Sequence, residues 1–236
     1  LFNKKNKKNK KQAKKPRKLV TMSDDNAFIS EQFRTIRANI NFSLPGQESK
    51  TILITSSLAG EGKSTIAANI AVVFAQEGKK VLLIDADLRK PTLQFTFNIR
   101  DHIGLTHVLI GKNYYFNAIQ ETPIPGLDVL PCGAIPPNPT ELLSSKNMDT
   151  LLIDLKEKYD LIILDGPPLI TISDSQILGN KCDGTLFIIS SGISKKEDLL
   201  KSEEILSTSK AKIIGIVLNN YKLSKNDYQN YYTYTN

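Results

Sequence analysis

Short apolar runs alternate along this chain with stretches in which apolar residues return every three or four positions. The runs are Thr51-Ile-Leu-Ile-Thr-Ser56, Lys80-Val-Leu-Leu-Ile-Asp85, Leu127-Asp-Val-Leu-Pro131, Asp160-Leu-Ile-Ile-Leu-Asp165, Thr185-Leu-Phe-Ile-Ile-Ser190 and Ile213-Ile-Gly-Ile-Val-Leu218. Most are apolar at consecutive rather than alternate positions, which predicts strands covered on both faces, as in a parallel sheet. Helical spacing predicts a helix over residues 24–44, with Ile29, Phe33, Ile36 and Ile40 on one stripe, and another from Thr65 to Glu77, stopped by Gly78. Further helices are expected over Gly104–Gly111, from Pro136-Pro-Asn-Pro139 to about Lys158, over Asp174–Asn180 and over Lys195–Lys210. The fold class is therefore α/β, a mostly parallel sheet with helices on both faces.

Neither end of the chain shares this pattern. Residues 1–18 hold ten of the 31 Lys and Arg and no acid, which leaves 21 basic against 24 acidic side chains elsewhere. The net charge of +7 thus belongs to the start, and the body is slightly acidic. A lysine run of this kind buries nothing; it reads as a solvated tail or as a segment drawn to anionic lipid head groups. No nucleic-acid partner is expected, because only Phe2 interleaves the lysines. At the other end Tyr221, Tyr228, Tyr231, Tyr232 and Tyr234, five of eight tyrosines, fall in the last sixteen residues without an aliphatic period. Such a tail is expected to be mobile, offering its hydroxyls to an active site or packing its rings on a partner.

The chain accordingly divides into a basic segment 1–22, an α/β domain 23–220 and a tyrosine-rich tail 221–236. At 236 residues one sizeable domain is expected rather than two. Cys132 and Cys182 form no C-x-x-C and no run approaches the roughly twenty apolar residues of a membrane span, so a reduced, cytosolic protein is the expectation. The start at Leu1-Phe2, without Met, suggests a processed chain, a fragment or a fused segment. His102 and His107 have no partner pattern and read as structural.

Candidate chemistry gathers after three of the strands. Ser57-Leu-Ala-Gly-Glu-Gly-Lys-Ser-Thr65 joins a strand to a helix, a turn that points backbone N–H groups into one concavity at a helix N-terminus and so cradles phosphate. Gly60, Glu61, Gly62, Lys63, Ser64 and Thr65 are the candidate nucleotide contacts; Lys63 would reach the β and γ phosphates and Ser64 a Mg²⁺ ion. Ser57 stands where the first glycine of G-x-x-x-x-G-K-[ST] belongs. Asp85-Ala-Asp87-Leu-Arg-Lys-Pro91 and Asp165-Gly-Pro-Pro168 close two apolar strands, the arrangement that holds Mg²⁺ directly or through water. Open α/β sheets bind ligands at such carboxyl ends. On the first helix Glu31, Arg34 and Arg37 recur every three residues, either bracing their own helix or docking on another subunit.

Together these residues resemble the bacterial tyrosine kinases, or BY-kinases, of capsule and exopolysaccharide synthesis. The resemblance runs from about Ile29 to the C-terminus and is carried by Glu31/Arg34/Arg37 with Arg37-Ala-Asn-Ile-Asn-Phe42, the loop Ala59–Thr65, Ile84–Pro91, Pro136-Pro-Asn-Pro-Thr-Glu-Leu-Leu143, Asp165-Gly-Pro-Pro168 and the tyrosine cluster. It implies a cytoplasmic kinase at the inner face of the membrane that uses ATP and Mg²⁺ to phosphorylate its own tail, Tyr228, Tyr231, Tyr232 and Tyr234. It also implies a ring assembled through Glu31, Arg34 and Arg37, a membrane adaptor of the polysaccharide co-polymerase type as activator, and a cognate phosphotyrosine phosphatase. Residues 1–18 resemble a juxtamembrane or fused activating segment. By the same resemblance Lys63 binds phosphate, Ser64, Asp85 and Asp165 hold the metal, and Asp85 or Asp87 takes the tyrosine proton. Arg89 touches phosphate and Asn219 contacts adenine. Gly166 departs from the Thr often found in the family at that position.

Two other functions remain open at this stage. A switch ATPase of the MinD/ParA kind shares the fold and loop but carries an extra lysine where Leu58 stands, and lacks the tyrosine tail. A silent nucleotide-binding adaptor is the other, against which stands the intact set Lys63, Ser64, Asp85, Asp87 and Asp165.

Overall fold

The computed structural model describes residues 18–22, 27–46 and 48–222. Most of the basic segment and Tyr228, Tyr231, Tyr232 and Tyr234 lie outside them. Seven strands form one sheet: β1 (Lys50–Ser56), β2 (Val81–Asp85), β3 (Gln120–Glu121), β4 (Leu127–Leu130), β5 (Leu161–Asp165), β6 (Gly184–Ser190) and β7 (Ile213–Asn219). Their order is β3-β4-β2-β5-β1-β6-β7, parallel except for the two-residue edge strand β3. The nine helices among the described residues are α1 (Ala27–Ser43), α2 (Lys63–Ala75), α3 (Leu93–Phe97), α4 (Leu105–Leu109), α5 (Tyr115–Ala118), α6 (Pro139–Ser144), α7 (Lys146–Lys156), α8 (Asp174–Lys181) and α9 (Lys196–Thr208).

The central strands bury both faces, as their apolar runs predict. Ile52, Ile54, Val81, Leu83, Leu161 and Ile163 turn toward α1 and α2, whereas Leu53, Leu82, Ile84, Ile162 and Leu164 turn toward the helices α4, α6, α7 and α8. Helix α2 is buried over almost its whole length, and so its apolar residues go all round it. The strand order places the loop after β1 between the carboxyl ends of β5 and β6. In register, Asp85 sits beside Asp165, and Asp165 beside Ile54.

Three features differ from the expectations. The single helix expected from Pro136 to Lys158 is two, because Ser145 leaves the helical region at φ −66°, ψ 156°. Its hydroxyl donates to Leu142 O at 2.7 Å and accepts from Met148 N, so one side chain ends α6 and caps α7. Short elements α3, α5 and β3 were too brief to show a period. Finally, Val20–Met22, inside the segment assigned to the basic start, form a 3₁₀ turn against α2. Thr21 donates both its N–H and its hydroxyl to Asn69 Oδ1, at 3.1 and 2.9 Å, and Asn69 Nδ2 donates to Lys18 O at 3.0 Å. The packed body thus reaches back past the boundary at residue 22.

Candidate active site

The loop from Ser57 to Lys63 takes its shape from two glycines and one buried acid. Gly60 and Gly62 have φ of +91° and +99°, conformations that a side chain disfavours. A Cβ on Gly62 would also lie 2.1 Å from Asn219 Nδ2. Ser57 does not have a positive φ, which is why the missing first glycine leaves the loop intact. Its hydroxyl instead lies 3.0 Å from that of Ser202 on α9.

Glu61 is fully buried, an acid inside an anion cradle. Its carboxylate accepts from Leu58 N at 2.8 Å and from the Ser194 hydroxyl, while its carbonyl accepts from Asn219 Nδ2 at 2.9 Å. The charge is thus taken up by donors on the side of the loop that faces β6 and β7, and the remaining loop amides keep their anion-binding role. Asn219, expected at adenine, has its amide nitrogen engaged with the loop backbone.

On the other side, at β2 and β5, two aspartates are buried next to each other. Asp85 is 0% and Asp165 1% exposed. Asp85 Oδ2 accepts from Thr92 N and Leu93 N at 2.8 and 2.9 Å and so fixes the start of α3. Asp85 Oδ1 is buried and has no hydrogen-bond partner among the described residues. Burial, and next the charge of Asp165, push the Asp85 carboxyl up to about 8 against the pull of those two N–H groups. A buried carboxylate pair with an oxygen left over fits a hard divalent cation, which takes oxygen ligands and offsets both charges. No cluster of three or more His, Cys, Asp or Glu fit for a metal occurs among the described residues. Mg²⁺ needs no such cluster, since it binds through one or two carboxylates, a hydroxyl and substrate phosphates.

A cavity of about 600 Å³ is lined among others by Gly60, Lys63, Ser64, Asp87, Arg89 and Thr92; Asp85 is tied to its wall through the Thr92 N–H, and neither Asp85 nor Asp165 lines it directly. The sequence candidates of the loop and the second strand thus share one site. Asp87 Oδ1 accepts from Arg89 N at 3.3 Å and Lys90 N at 3.0 Å. The Arg89 fork is engaged at the cavity wall: Nε and Nη2 lie 2.9 and 3.2 Å from the two oxygens of buried Asp174, and Nη2 donates to Thr140 Oγ1 at 3.0 Å. Sequence reasoning missed Asp174, for which an acid at a helix start after Asp165-Gly-Pro-Pro168 was the only signal. At Gly166, a Cβ would lie 2.6 Å from Leu53 Cδ1, so the threonine often found in the family would require Leu53 to shift. The hydroxyls of Thr55 and Ser175 donate to the next carbonyl, Pro167 O.

Away from the cavity, Glu31 and Arg34 pair with each other at 2.8 Å on the exposed face of α1. Arg37 leaves them. It donates to Val73 O at 2.9 Å and lies 3.6 Å from Glu77, capping the C-terminal end of α2. Among the described residues no helix is long and apolar enough to cross a membrane.

Comparison with known proteins agrees with this geometry. The family model described as AAA domain matches residues 49–190. Tyrosine-protein kinase YwqD of Bacillus subtilis (strain 168) is 50% identical over 92% of this chain and 91% of its own, and the putative tyrosine-protein kinase CapB of Staphylococcus aureus is 40% identical over 86% and 90%. Among solved structures, the chimerical protein CapA2B2 superposes with a TM-score of 0.83 at 38% identity, covering 89% of this chain and 93% of that one. The kinase domain of Escherichia coli tyrosine kinase ETK gives 0.82 at 28% identity, covering 93% and 88%. MinD complexed with Mg-ADP from Pyrococcus horikoshii OT3 gives 0.63 at 28%, covering 75% and 72%. The chain therefore belongs to the bacterial tyrosine-protein kinases, nucleotide-binding enzymes built on the P-loop fold it shares with MinD.

Proposed function

We propose that this kinase uses Mg-ATP to phosphorylate its own C-terminal tyrosines, Tyr228, Tyr231, Tyr232 and Tyr234, within a ring of identical copies. The observation that carries the reading is the buried Asp85–Asp165 pair at the carboxyl ends of β2 and β5, next in the sheet to the strand that leads into the Lys63–Ser64 loop, a site whose charge balance calls for a cation and phosphate. Lys63, Gly60, Glu61, Gly62, Ser64 and Thr65 would hold the triphosphate, and Asn219 would meet the adenine from the far side of the loop. Ser64, Asp85 and Asp165 would hold a Mg²⁺ ion, which would supply neutralisation of the phosphate charge.

The acceptor's phenol oxygen forms the new bond to the γ phosphorus. The bond from that phosphorus to the bridging oxygen breaks, its electron pair leaves with ADP, and the phenol proton passes to Asp87. A phenol has a pKa near about 10, so late proton transfer to a placed carboxylate suffices and the main work of the site is positioning. The ring would form through α1, with Arg37 first exchanging its contacts at Val73 and Glu77. A membrane adaptor of the co-polymerase type would activate the kinase at the inner face of the membrane, a phosphotyrosine phosphatase would reverse it, and the cycle would regulate capsule or exopolysaccharide export. Arg89 belongs to this reading as a brace for the acidic loop.

Mass-spectrometric mapping of phosphate after incubation with Mg-ATP, beside a Lys63→Met control, tests the reading. Phosphate on the tail tyrosines that vanishes in the control is expected. Release of inorganic phosphate without modified tyrosine would contradict it and favour a switch ATPase.

A further inference from the structure

The cavity beside Lys63 has an apolar part that phosphate does not need. Phe95 on α3, together with Pro168 and Ile172 after β5, lines it along with the loop and Asp87. Phosphates bind through N–H groups, cations and metal ions, and gain nothing from carbon surface. Asn219 meets Gly62 and Glu61 from the β7 side of the loop, whereas these three residues come from the β2 and β5 side. A base seated near Asn219 leaves the apolar part of the cavity for something else that is flat and carbon-rich.

The wall is also tied to the chemistry. Asp85 Oδ2 holds the N–H groups of Thr92 and Leu93, three and two residues before Phe95, so one carboxylate sets both the cation site and the start of α3. Among the described residues the hydrogen bonds of Asp87 fall on Oδ1 and leave Oδ2 for an incoming hydroxyl. A phenol hydroxyl lies a full ring further from its backbone than a serine or threonine hydroxyl. A slot with aromatic and aliphatic walls leading to a carboxylate therefore suits tyrosine and strands a shorter side chain above the reacting phosphorus.

We infer that Phe95, Pro168 and Ile172 form the slot that receives the acceptor's phenol ring, delivering its hydroxyl to Asp87 and making the site selective for tyrosine over serine and threonine. This rests on the reading of Asp87 and Asn219 given above. Phe95 and Ile172 act by binding the acceptor, so their loss should appear in the acceptor's KM rather than in the affinity for nucleotide.

The test uses the full chain with saturating Mg-ATP and, as acceptor in trans, a peptide with the sequence of residues 225–236. Phe95→Ala, on α3, and Ile172→Ala, in the loop after β5, are each expected to raise the peptide KM by about fivefold or more while kcat falls less than about twofold. Phe95→Tyr, which keeps the ring, should return KM to near the parent value, and nucleotide affinity measured by fluorescence titration should stay within about twofold throughout. An unchanged peptide KM in both alanine variants overturns the slot. So does a nucleotide affinity that weakens in step with KM, which would assign the wall to the base. A parent chain that transfers phosphate to tyrosine, loses this in Lys63→Met and ignores both alanine variants would sink the slot alone. A parent chain that modifies no tyrosine would bring down the autokinase reading and the slot with it.

Discussion

The two sides of the phosphate loop are built on opposite principles. Toward β6 and β7 every polar group named here has a partner: Glu61 with Leu58 and Ser194, Asn219 with Glu61, Ser57 with Ser202. Toward β2 and β5, Asp85 and Asp165 lie buried side by side, with Asp85 Oδ1 lacking a hydrogen-bond partner among the described residues. The first side spends its hydrogen bonds on holding a shape, and the second withholds them from the position where a cation and a reacting group belong. Preorganisation and reactivity are thus separated across a single loop, which lets one oxygen of Asp85 go without a hydrogen bond among the described residues while the cradle keeps its shape.

The sharpest way to break this division is Gly62→Ala. A side chain there is strained at φ +99° and collides with the Asn219 amide, so nucleotide affinity should fall by at least about tenfold in a titration. Glu61→Gln keeps the shape but weakens acceptance from Leu58 N and Ser194. A loss of about three- to tenfold in nucleotide affinity is expected, with Ser194→Ala reproducing a smaller part of it. A third change lies outside the loop and serves as a gauge of ordinary packing. Arg37→Ala removes the cap on α2 and should lower Tm by about 2–4 °C, whereas Glu31→Ala, which breaks only an exposed pair, should leave Tm within about 1 °C.

Much of the first side of this comparison was not legible in the sequence, and most of the second was. Consecutive apolar positions ending in aspartate announced β2 and β5 and put Asp85, Asp87 and Asp165 at one crevice, because a parallel sheet aligns strand ends. Glu61, Ser194 and Asn219 are brought together by the β6–β7 crossover, a contact across more than a hundred residues that no local period records. Arg37 illustrates the same limit: its spacing with Glu31 and Arg34 suggested one shared face, yet the third turn of α1 meets α2 and the side chain follows the nearest orphan carbonyl. Ser145 was legible in principle, since a serine ahead of a helical run is a cap signal, but the apolar spacing on either side concealed the break.

The claim that the acidic side is a cation site is tested most directly by the stability of the nucleotide-free protein against pH, with Asp85→Asn beside the parent. The Asp85 carboxyl is raised in the folded chain to about 8 from an unfolded value near 3.8. Its favourable contribution is therefore complete below the lower value and is lost as pH rises through the upper one. Asparagine keeps an oxygen for Thr92 N and Leu93 N but carries no charge. The variant should therefore melt about 5 °C higher than the parent at pH 8, with the gap narrowing as pH falls and closing only near about pH 4, and Mg-ADP should stabilise the parent far more than the variant. Equal melting at both pH values, or equal stabilisation by Mg-ADP, would contradict the account.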